Sequence, residues 1–64
     1  MWTPDKYEAK RAKKVLQVRQ LTKYERHVMN TIVNAHQING CLDWLDRATL
    51  MALEEKYKGQ LAEL

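Results

Sequence analysis

The sequence predicts an all-α fold, a compact three-helix domain with helices at about 4–20, 22–39 and 44–58 joined by short connections. Three observations predict it. Helix breakers are scarce, with two glycines and one proline in 64 residues, while alanine, leucine, glutamate, lysine and glutamine are plentiful. Helix start and stop signals recur along the chain, and between them apolar residues fall at spacings of three and four. Residues 1–64 read as a single domain, because a chain of this length builds one core and buries only about 60% of its unfolded surface. Self-association or docking on a partner would add to so small a core.

The first helix is announced by Thr3-Pro4-Asp5, read as an N-cap, a proline at the first helical position and an acid in the first turn. Trp2 and Tyr7 have the spacing of a hydrophobic staple across that cap. Ala9, Ala12, Val15 and Leu16 share one side of the helix, and Lys6, Lys10, Lys13 and Lys14 gather on another, with Arg11 beside them and Gln17 extending the row.

Thr22-Lys23-Tyr24-Glu25 has the pattern of a capping box and opens the second helix, which Gly40 closes by offering the left-handed conformation. A single rod through both helices is disfavoured. At about 100° per residue, Tyr24, Val28, Ile32 and Ala35 would centre roughly 150° from the apolar side of the first helix.

The third helix starts within 43–47, where Asp43 and Asp46 both suit a cap, and Gly59 stops or frays it. It carries two apolar stripes. Trp44, Leu45, Ala48, Met51 and Ala52 form one; Leu50, Leu53, Tyr57 and Leu61 form the other on nearly the opposite side. Either both pack inside the domain, or one is left for another chain.

The net charge of +3 is unevenly spread. Residues 1–32 hold eight Lys or Arg against three acids, and residues 33–64 hold three against five. A partner that reads charge meets the first half. Cys41 is the only cysteine, which excludes an internal disulfide and suits a cytoplasmic, intracellular protein. The charged first twenty residues lack the apolar segment of a secretory signal, and Leu50–Leu53, the longest apolar run, is far too short to span a bilayer. No membrane partner is expected.

Chemistry finds little purchase. His27, His36 and Cys41 are scattered and too few for a structural zinc site, so no metal and no cofactor is expected. Asp43 with Asp46 and Glu54 with Glu55 are explained by caps and solvated faces, and no phosphate loop or nucleophile elbow is present. No catalytic residue is assigned, and neither an enzyme nor a small-molecule substrate is expected. A helix-turn-helix reading fails on charge, since the third helix would bring Asp43, Asp46, Glu54 and Glu55 toward phosphates.

Two functions from different classes follow. The first is a small non-catalytic regulator or adaptor that binds a protein partner, or itself, through Leu50, Leu53, Tyr57 and Leu61, with the basic face of Lys6, Lys10, Arg11, Lys13 and Lys14 steering an acidic surface. The alternative is a nucleic-acid-binding protein, working as a dimer, whose first helix contacts phosphates through that basic face.

Overall fold

In the computed structural model, which describes all 64 residues, four helices follow one another: α1 (Lys6–Val15), α2 (Lys23–Ile38), α3 (Trp44–Lys56) and a short α4 (Lys58–Ala62). The domain is all-α, and its only β-type contact is an isolated antiparallel bridge between Trp2 and Leu42. Neighbouring long helices run in opposite directions. His36 near the end of α2 donates from Nδ1 to the carbonyl of Pro4 before α1 at 3.1 Å, and Arg26 near the start of α2 donates to the carbonyl of Leu16 after α1 at 3.2 Å. An ion pair between Glu25 and Lys56 likewise joins the start of α2 to the end of α3.

α1 is shorter than the predicted helix at both ends. Its N-cap is Asp5, not Thr3: the Asp5 carboxylate accepts from the Glu8 N–H at 2.8 Å, and the Glu8 carboxylate accepts from the Asp5 N–H at 3.1 Å. Pro4 stays outside the helix and is buried. Trp2 does not staple to Tyr7, which is exposed; it exchanges backbone hydrogen bonds of 2.9 and 2.7 Å with Leu42 and is itself buried. After Val15 the chain tightens, with the Gln17 N–H donating to Lys14 and the Val18 N–H to Val15. This turn puts Val18 into the core, away from the course a continued helix would give it.

α2 matches its predicted start, since Thr22 and Glu25 form the capping box. Its left-handed C-cap is Asn39 at φ 57°, one residue ahead of the expected Gly40, whose N–H instead closes the turn onto the Ala35 carbonyl at 2.8 Å. Asparagine visits this region more readily than other residues with a Cβ.

α3 is capped by Asp43, which accepts from the Leu45 N–H at 3.3 Å, and Asp46 falls in its first turn. Gly59 does not end it. The break is at Tyr57, with φ −107° and ψ 23°, and Gly59 lies inside α4. Lys56 and Tyr57 both reach across to Glu25, each at 2.8 Å, and that shared target sits where the helix breaks.

The core joins all three long helices and the N-terminal segment. Trp2, Ala12, Val15, Val18, Val28, Met29, Ile32, Leu50, Leu53 and Tyr57 form one buried cluster, against which Leu16, Leu21, Val33, Leu42 and Leu61 pack.

Candidate interaction surfaces

α3 turns toward the core the stripe expected to meet a partner. Leu50, Leu53 and Tyr57 are 0%, 5% and 5% exposed, and Leu61 is half-buried against the same cluster. That stripe is the domain's own core. The surface left open is the other one, where Trp44, Leu45 and Met51 remain 56%, 72% and 53% exposed beside the exposed Ala48 and Ala52.

Three ion pairs accompany this rotation of α3. Arg47 donates from Nε to Glu8 at 3.1 Å, Arg11 pairs with Glu54 through both its Nε, at 2.8 Å, and Nη2, and Lys56 pairs with Glu25 at 2.8 Å. The first two tie α1 to α3 on one side, the third ties α2 to α3 on the other. Turning α3 over to bury Trp44 would break all three.

Along the α1–α3 seam the polar groups are closely interlocked. Glu8 receives the Trp2 indole N–H at 3.0 Å, the Arg47 guanidinium and the Asp5 backbone N–H. Partial burial works to raise the Glu8 pKa, but these donors together outweigh it and hold the carboxyl below its ordinary value. An open cleft of about 400 Å³ lies above them, with Tyr7 on one wall and Trp44 and Arg47 on the other. The Arg47 guanidinium sits 5.8 Å from the Trp44 ring centre, within cation–π range.

The basic face is present, with one change of membership. Lys6, Lys10, Lys13 and Lys14 are exposed and have no carboxylate partner, whereas Arg11, expected alongside them, is engaged by Glu54, which raises its pKa. Lys10, Lys13 and Lys14 border an open groove of about 580 Å³ with Tyr7, Gln17 and the C-terminal Leu64, and Lys6, Lys10 and Lys13 border a second of about 230 Å³ with His36 of α2. Because the three ion pairs consume Glu8 and Glu25, the first half of the chain is left with a single free carboxylate, Asp5, against Lys6, Lys10, Lys13, Lys14, Arg19, Lys23 and Arg26. Folding sharpens the charge asymmetry written in the sequence.

Glu25 is, with Glu8, one of two carboxylates that each accept from three groups. The buried carboxylate accepts from Lys56, from the Tyr57 hydroxyl and from the Thr22 backbone N–H at 2.9 Å. The Lys56 ammonium foremost, then the Thr22 N–H and the Tyr57 hydroxyl, lower its pKa to about 2 against the opposing effect of burial. A carboxyl whose pKa is lower folded than unfolded stabilises the fold above its unfolded value of about 4.3 and stops doing so as pH falls through its folded value. The melting temperature is therefore expected to fall between about pH 5 and pH 2. Glu25→Gln should melt lower at neutral pH and show a shallower acid fall, which thermal melts followed by circular dichroism across that range will measure.

No helix is long and apolar enough to cross a membrane. No protein-family model matches the chain, and no curated protein or solved structure matches it either.

Proposed function

We propose that this is a small non-catalytic helical interaction protein, a regulator or adaptor, that docks on an acidic protein surface through its α1–α3 face. One observation carries the reading: Trp44, Leu45 and Met51 stay more than half exposed on a helix whose opposite side is fully used by the core. Tryptophan, tyrosine, methionine and arginine are the residues enriched at interface centres, and Trp44, Tyr7, Met51 and Arg47 supply each of them on or beside this seam. Lys10 and Lys14 stand beside Tyr7 at its rim, so the fitting partner has an apolar centre bordered by carboxylates.

The test uses the full chain as bait in nuclease-treated lysate. Trp44→Ala is expected to weaken capture of the specific partner by about ten-fold or more while leaving the melting temperature within a few degrees, because the indole is 56% exposed. Lys6→Gln, which borders the groove with His36 and not the one with Tyr7, should leave capture intact. Retention of the same partner by Trp44→Ala would rule this face out, and a sedimentation mass of two chains would make the partner a second copy.

A further inference from the structure

We infer that the adjoining side of the domain, shared by α1 and α2, binds the phosphate backbone of duplex nucleic acid without reading its sequence. It shares Lys10 with the rim of the docking face proposed above but rests on different observations. From Lys6 to Leu42 the only carboxylates are Glu8 and Glu25, and both are bound to cations of α3. The surface between α1 and α2 therefore carries cations with nothing to neutralise them.

The cations are placed together by the fold. Lys6, Lys10 and Lys13 line the groove with His36. Arg26, anchored to the end of α1, and His36, anchored to the start of α1, hold α2 alongside that row. Asn30 and Gln37 fall on the same side of α2 as Arg26, four and eleven residues after it, and both are exposed. Successive lysines four apart rise about 6 Å along α1, far enough for each to take a separate phosphate. Lysine, arginine and side-chain amides are the groups that contact phosphate oxygens, and none of them here is committed to a base-reading geometry.

The composition of this side argues against the other polyanions. Protein interface centres are depleted of lysine, and the exposed Tyr7 and Trp44 line the cleft on the α3 side. Tyr24 points about 200° away from Arg26 around α2. A single strand would want several stacked aromatics and an anionic membrane would want bulky apolar anchors, and this side offers only Tyr7, at the edge of the lysine row.

Fluorescence anisotropy with the full chain and two labelled duplexes of unrelated sequence tests the assignment. Both duplexes should bind equally to within about three-fold, and contact with four phosphates predicts an affinity loss of roughly a hundred-fold between 50 and 200 mM salt. Lys6→Gln/Lys13→Gln should weaken binding and reduce the salt slope by about 1.8, whereas Trp44→Ala should change neither. Neither lysine has an ion-pair partner within the fold, so circular dichroism should show the variant as helical as wild type. The assignment is overturned by no binding at 50 mM salt, by salt-independent binding, by an unchanged affinity in the double variant, or by tighter binding to polyglutamate or phosphatidylserine vesicles than to duplex.

Discussion

Tyr57→Ala is expected to lower the unfolding free energy by about 3–5 kcal/mol, the range for deleting a buried aromatic side chain. A domain of this length has a total stability of roughly 3–10 kcal/mol, so the variant should lose about half of its stability or more. The ring is 5% exposed within the core cluster, and its hydroxyl donates to Glu25 in the interior. Tyr57→Phe separates the two contributions. It keeps the ring and removes only the hydroxyl, for an expected loss of about 1–2 kcal/mol, because Glu25 keeps Lys56 and Thr22 as donors. Urea unfolding of the three proteins, with equal slopes, gives the comparison. A wild-type midpoint for Tyr57→Ala would remove Tyr57 from the core and return its stripe to the surface.

That stripe marks the boundary of what the sequence alone conveys. The capping box of Thr22 and Glu25 is legible because its partners are three residues apart, and the lysine row of α1 is legible because helical periodicity alone creates it. Asp5 and Glu8 carry the same local signature as Thr22 and Glu25. Thr3-Pro4 competes with it, however, and the competition is settled by the pairing of Trp2 with Leu42, forty residues away. The two stripes of α3 have similar apolar character, so nothing within that helix selects between them. What decides lies on other elements: Val15, Val28, Met29 and Ile32 supply the apolar surface the buried stripe packs on, and Glu8, Arg11 and Glu25 pair with the charges at its flanks. For the same reason Arg11 looks like a member of the basic row until Glu54, 43 positions away, is seen beside it.

Trp2→Ala is the second large effect and tests the feature that sequence reading placed wrongly. The side chain is 6% exposed in the core cluster, so its removal is expected to cost about 3–5 kcal/mol, as much as losing Tyr57. The loss extends beyond apolar area. The indole N–H is one of the donors that hold Glu8 ionised, and Glu8 in turn caps α1 and binds Arg47 of α3. Removing the indole therefore loosens the N-terminal segment, the start of α1 and the α1–α3 seam together. Trp2→Phe keeps an aromatic ring and loses the N–H, for an expected cost nearer 1 kcal/mol beyond any repacking. Tryptophan fluorescence provides a direct check, since Trp2 is buried while Trp44 is 56% exposed. In wild type the red shift on urea unfolding should come mainly from Trp2, and in Trp2→Phe it should be small while the circular dichroism transition remains. A full red shift in Trp2→Phe would assign the buried indole to Trp44 and reverse the orientation of α3, and with it the docking face.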